Sequence, residues 1–272
     1  MSDPRPIGVF DSGIGGLTVL AALTARLPGE RFVYLGDTAR LPYGSKSSDT
    51  VKRYALRAGL YLSEQGIKML VVACNTAASA ALPVLEQALS VPVIGVVGPG
   101  ARIAVRESRR VIGMIGTEST VASGAYERAI RELRPGASIL ARACPLFVPL
   151  AEEGWFDHPV TREVAHLYLG DMASSGVDTL ILGCTHYPLL REAIAAAVGD
   201  GVRLVDSASS VALAVGETLA SEKMTAPAGT GDLRLLVTDA APRVRRIAGL
   251  ILGEAAERIE LVDLPSYATA PD

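Results

Sequence analysis

Apolar residues in this chain fall into short continuous runs, separated by longer stretches in which apolar positions recur at helical spacing. The clearest run is Met69-Leu70-Val71-Val72-Ala73, which stops abruptly at Cys74-Asn75-Thr76. Its counterpart, Thr179-Leu180-Ile181-Leu182-Gly183, stops at Cys184-Thr185-His186. Such a run predicts a strand buried on both faces, as in a parallel sheet covered by helices. Each thiol then sits at the carboxyl end of its strand, the edge where open α/β sheets bind ligands.

The same pattern predicts strands over 6–10, 31–36, 91–97, 111–116, 138–143, 202–205, 233–238 and 259–262. Helices are expected over 17–27, 47–65, 77–89, 161–175, 189–198, 208–221 and 243–252, with a further helix opened by Thr117-Glu118-Ser119-Thr120 and running to about 133. Thr76 is the expected cap of helix 77–89. Pro188 suits the first turn of the helix after Cys184. Gly98-Pro99-Gly100 reads as a break or hinge. The segment from Cys144 to Trp155, with Glu152 and Glu153, reads as a loop or irregular helix.

Spacing reveals an internal duplication. Gly66 precedes Cys74 by 8 residues and Gly176 precedes Cys184 by 8. Ile7-Gly8 opens the first half as Ile112-Gly113 opens the second, at an offset of 105 against 110 for the cysteines. The fold class is therefore α/β, with two pseudo-symmetric Rossmann-like α/β domains around a shared cleft. The expected division is residues 1–97 plus 208–272, carrying Cys74, and residues 98–207, carrying Cys184.

Composition narrows the chemistry. The net charge of -3 gives no electrostatic footprint for direct nucleic-acid contact. The amino terminus lacks a basic segment followed by an apolar core, and no apolar run reaches membrane-spanning length, so a cytoplasmic protein is expected. Three widely spaced cysteines argue against a disulfide framework. No Cys-x-x-Cys is present, and His158, His166 and His186 lack short ligand spacing, so no metal is expected. None of the four lysines (Lys46, Lys52, Lys68, Lys223) lies in a cleft motif, which weakens a Schiff-base cofactor. The turn Asp11-Ser12-Gly13-Ile14-Gly15-Gly16 has Thr18 where a dinucleotide fingerprint wants a third glycine, although its helix start suits a carboxylate.

Two matched thiols admit several chemistries. A disulfide suits a reducing compartment poorly. A single-thiol hydrolase would use one Cys with a His and a carboxylate and leave the second unexplained. Two-base proton transfer uses both: one thiolate removes a proton from a carbon and the opposite thiol delivers one to the other face. Cys144, at a strand end without polar followers, reads as structural.

Five segments carry a resemblance: Phe10 to Leu17, Gly36 to Gly44, Ala73 to Ala77, Ser123-Gly124-Ala125-Tyr126, and Gly183 to Pro188. In order and wording they resemble the glutamate racemase family, over residues 7 to about 207 and more weakly beyond. The resemblance implies a cofactor-independent enzyme with two pseudo-symmetric α/β domains. It would interconvert L-glutamate and D-glutamate and supply D-glutamate for peptidoglycan. It implies Cys74 as the base for D-glutamate, assisted by Asp11, and Cys184 as the base for L-glutamate, assisted by His186 and Glu152. Substrate contacts are implied at Asp11, Ser12, Pro42, Tyr43, Gly44, Asn75, Thr76, Thr117, Thr120, Thr185 and His186. The helix start after Cys74 and a protonated His186 are expected to favour the two thiolates. A homodimer is the expected assembly. The alternatives are a sister racemase acting on aspartate or a hydantoin, and a protein that acts by binding DNA gyrase, to which some family members are linked.

Overall fold

The computed structural model describes residues 2–265, apart from residues 173, 228, 230 and 241 and the side chain of residue 243. The chain runs β1 (Ile7–Asp11), α1 (Leu17–Arg26), β2 (Arg31–Gly36), α2 (Ser48–Glu64), β3 (Met69–Val72), α3 (Asn75–Ala88) and β4 (Val93–Gly95). It continues through α4 (Val97–Glu107), β5 (Val111–Gly116), α5 (Glu118–Ala122), α6 (Ala125–Leu133), β6 (Ser138–Ala143), α7 (Phe147–Glu152), α8 (Pro159–Leu169), β7 (Val177–Gly183), α9 (Arg191–Val198) and β8 (Arg203–Asp206). The last elements are α10 (Ser207–Ser221), β9 (Asp232–Val237), α11 (Pro242–Leu252) and β10 (Ile259–Leu261).

Among the described residues the strands form two parallel sheets, ordered β10-β9-β2-β1-β3-β4 and β6-β5-β7-β8. In both, the first strand of the half lies between its second and third, and the fourth lies beyond the third. The duplication seen in the spacing is thus a duplication of winding order. Each sheet reverses its order of progression beside its first strand, and a crevice opens at the carboxyl ends there. β3 and β7 flank these first strands, which puts Cys74 and Cys184 at the two crevices.

Burial follows sheet position. Every residue of β1 and β3 is buried, as is all of β7 except Asp178. Edge strands β6 and β10 are half-buried or exposed. α2 packs on α3, α1 on α10 and α11, and α8 on α9. α10 also packs on α4 and against β7 and β8, so one helix ties the two sheets together.

Four sequence expectations are corrected. Gly98-Pro99-Gly100 is no break: it lies inside the first turn of α4. Helical N–H groups in a first turn have no intrahelical acceptor, so a proline there removes no hydrogen bond. The helix expected from residue 117 to about 133 is two helices, because Gly124 adopts φ 63° between α5 and α6. α3 is capped not by Thr76 but by Cys74, whose Sγ accepts the Ala77 N–H at 3.4 Å. The helix expected over 161–175 ends at Leu169, and within its remainder residue 173 lies outside the described residues.

Candidate active site

A cavity of about 130 Å³ opens between the carboxyl edges of the two sheets. Ser12, Cys74, Asn75 and Thr76 line it from the first half, and Thr117, Glu152, Cys184, Thr185 and His186 from the second. Pro42, Tyr43 and Gly44 complete the wall. Both thiols are free and buried against this one space.

Two of the residues expected to touch substrate stand behind the wall instead. Asp11 is fully buried; its Oδ2 accepts the Gly13 N–H at 2.8 Å and its Oδ1 accepts the Thr185 hydroxyl at 3.4 Å. Thr120 is also fully buried and closes a hydroxyl cluster with Thr76 and Thr117, at 3.2 and 3.0 Å. Asp11 closes β1 and Thr120 lies in the first turn of α5, places where sequence position alone does not say whether a side chain faces the cavity or the sheet. Of the two adjacent acids, Glu152 is buried on the cavity wall, whereas Glu153 is exposed.

The halves meet closely at their glycines and threonines. A side chain at Gly15 would place its Cβ 2.5 Å from Thr185 Oγ1 and 2.6 Å from His186 Nδ1, so only glycine permits this approach. Thr18 donates toward the Gly15 carbonyl at 2.8 Å and the Thr185 carbonyl at 3.1 Å. The rim is held from the first half: the Tyr43 hydroxyl donates to Asp37 Oδ2 at 2.6 Å, and Arg40 donates to Asp37 Oδ1 at 2.7 Å.

Electrostatically the two sides differ. Burial pushes the Cys74 thiol up to about 12, and the charge of Asp11 pushes the same way. Ser12, whose Oγ lies 3.2 Å from Cys74 Sγ, and the Ala77 N–H pull against them. The helix start expected to favour a Cys74 thiolate is present, but burial outweighs it. Burial likewise raises the Asp11 carboxyl above its ordinary range, against the pull of His186. On the other side, His186 Nδ1 lies 3.8 Å from Cys184 Sγ and its Nε2 lies 3.5 Å from Glu152 Oε1. Burial opposes the imidazolium, yet these two partners hold its pKa at about 10.

Comparison with known proteins agrees with this geometry. A family model described as Asp/Glu/Hydantoin racemase matches residues 17–215. The chain belongs to the Asp/Glu/hydantoin racemase family. It is 50% identical to the glutamate racemase of Geobacter metallireducens over 92% of this chain and 93% of that one. It is 51% identical to that of Thermus thermophilus over 97% and 99%. Among solved structures, the glutamate racemase of Francisella tularensis in complex with D-glutamate superposes with a TM-score of 0.92 at 35% identity, covering 97% of this chain and all (100%) of that one. A glutamate racemase isoform from Bacillus anthracis superposes equally well, with a TM-score of 0.92 at 37% identity over 97% and 99%.

In this member of the Asp/Glu/hydantoin racemase family the cavity also has walls that the sequence reading missed. Leu41, Ser45, Glu118, Pro145, Val148 and Pro149 all line it. Pro145, Val148 and Pro149 follow the carboxyl end of β6, so their strand-end position was the available signal. Among the described residues no group of three or more His, Cys, Asp and Glu is placed to hold a metal ion, and no helix is long and apolar enough to cross a membrane.

Proposed function

We propose that this protein interconverts L-glutamate and D-glutamate by proton transfer between two thiols. The observation that carries this reading is the pair Cys74 and Cys184, at equivalent strand ends, lining one cavity with Asp11 behind the first and His186 and Glu152 beside the second.

With L-glutamate, the Cys184 thiolate takes the Cα proton and the C–H electron pair stays on Cα. Cys74 then delivers its S–H proton to the opposite face, giving D-glutamate and leaving a Cys74 thiolate. With D-glutamate the roles exchange. The Cα proton is a very weak acid, so the developing charge needs donors fixed around the adjacent carboxylate. Ser12, Asn75, Thr76 and Thr185 supply them, and the buried cavity strengthens each. The imidazolium of His186 places positive charge beside the sulfur that must hold negative charge in one half-reaction. No cofactor enters this scheme.

The two units act in this reading as domains, residues 1–97 plus 208–272 and residues 98–207, which close over the substrate. A cytoplasmic homodimer that supplies D-glutamate for peptidoglycan belongs to the same proposal.

The decisive experiment is proton NMR of each glutamate enantiomer in deuterated water with purified protein and no added cofactor. Deuterium is expected at Cα as each enantiomer converts to the other. Exchange with aspartate but not glutamate would move the substrate and keep the mechanism. A second reading has its own observation: Cys184, His186 and Glu152 stand in the order of a nucleophile, its base and an orienting acid. A thiol hydrolase of that kind would exchange no amino-acid α-proton. A gyrase effect that survived Cys74→Ala would favour the binding role instead.

A further inference from the structure

Asn75 is the only asparagine in the sequence. It is the first residue of α3, is 2% exposed, and lines the cavity. Its Oδ1 accepts the Tyr126 hydroxyl at 2.6 Å and faces the Ser207 hydroxyl at 3.3 Å. Its Nδ2 is buried and has no partner among the described residues.

The short contact fixes which way the amide points. A separation of 2.6 Å between Oη and Oδ1 suits an O–H···O bond and is tighter than an ordinary amide N–H···O bond. With the amide turned over, the fully buried Tyr126 O–H would lose its Oδ1 acceptor, since an amide nitrogen cannot accept, and would have only Ser207 to turn to. Ser207 is itself held by the Leu182 carbonyl, at 3.1 Å, so it is a fixed neighbour. Tyr126 comes from α6 and Ser207 opens α10, whereas Asn75 belongs to the first half. The network therefore forms across the boundary between the sheets.

We infer that Tyr126 and Ser207 are positioning residues that lock the Asn75 carboxamide with its oxygen turned away and its two N–H donors toward the cavity, ready for a carboxylate oxygen of the substrate. This rests on the glutamate reading proposed above. It also gives a role to the Ser123-Gly124-Ala125-Tyr126 segment, which the two-thiol chemistry leaves idle. That segment carries the hydroxyl that sets one donor of the substrate site. An amide preset in this way loses no free energy to reorientation when the carboxylate arrives, so releasing it should weaken binding and, because the same donors steady charge developing on that carboxylate, slow proton transfer to a smaller extent.

The test is Tyr126→Phe, which keeps the buried ring and removes only the hydroxyl, together with Ser207→Ala. Steady-state kinetics should show KM raised about tenfold for both enantiomers in Tyr126→Phe with kcat lowered by a smaller factor, and a smaller rise of KM in Ser207→Ala. Protein labelled with 15N-asparagine should give one side-chain amide pair. That pair should move on addition of D-glutamate in the wild type and lose the response in Tyr126→Phe. A lower melting temperature and lower kcat with KM unchanged would overturn the inference and leave Tyr126 a packing residue. A wild-type protein inert towards both glutamates would overturn the proposed function first, and this inference with it.

Discussion

The two sides of the cavity share a fold and differ in charge. Both present a thiol just past the third strand of a half with the same winding order. Behind Cys74 stands a buried carboxyl. Beside Cys184 stands a histidine with its own carboxylate neighbour, a pairing that favours the imidazolium. Duplication thus supplied matching positions for the sulfurs, and the residues around them made the positions inequivalent. The lesson is that a reaction with mirror-image ends does not need mirror-image electrostatics. Because the enantiomers are equally stable, kcat/KM must be the same in both directions whatever the asymmetry. The difference between the sides must be sought in partial reactions.

The largest effect should come from removing one base. Cys74→Ser or Cys184→Ser should slow racemisation on the order of 10²–10⁴-fold. In deuterated water each variant should still exchange the α-proton of one enantiomer: L-glutamate for Cys74→Ser, D-glutamate for Cys184→Ser. Loss of both exchanges in either variant would break the assignment of one thiol to each face.

Next is the contact that sets the distance between the sides. Gly15→Ala would drive a methyl into Thr185 and His186. A displacement of this kind should cost about 10²-fold in kcat/KM. Crystallography of the variant should show the halves further apart, and unchanged kinetics would mean that their spacing is not critical.

A smaller effect should separate the sides chemically. Glu152→Gln removes the acid that supports the His186 charge and should lower kcat/KM about tenfold, equally for both enantiomers. The α-deuterium isotope effect should grow with L-glutamate and shrink with D-glutamate, whose deprotonation at Cys74 then limits the rate less. Equal growth for both would place Glu152 outside the Cys184 side.

The pH experiment is the mildest. His186 ring signals should report an imidazolium at neutral pH and titrate near 10. Its folded pKa lies above the ordinary 6.5, so the stability it contributes is fully present below about 6.5 and is lost as pH rises through about 10. Glu152→Gln should move the midpoint down. A wild-type midpoint near the ordinary value would remove the cation from the comparison.

Much of the fold was legible because buried parallel strands write themselves as short apolar runs, and the ends of those runs gave both thiols, Asn75, Thr76, Thr185 and His186. What escaped depended on direction or on partners far away in sequence. Asp11, the last residue of β1, and Thr120, in the first turn of α5, are both fully buried, a matter of side-chain direction that no spacing encodes. Gly98-Pro99-Gly100 carries every local mark of a break, and only its place in the first turn of a helix makes it harmless. Ser207 reads as the end of a strand region, yet its hydroxyl reaches a residue 132 positions away.

The order of the sheets along the chain bears on how the protein is made. All strands of the second sheet lie between residues 111 and 206, so that sheet can assemble as soon as this stretch has left the ribosome. The first sheet begins earlier and finishes later: its strand β2 waits for β9, which starts at Asp232. Until then β2 is an open edge. The half synthesised first is therefore the last to be completed, and a chain halted after α10 would carry a finished Cys184 side beside a Cys74 side that still lacks its border.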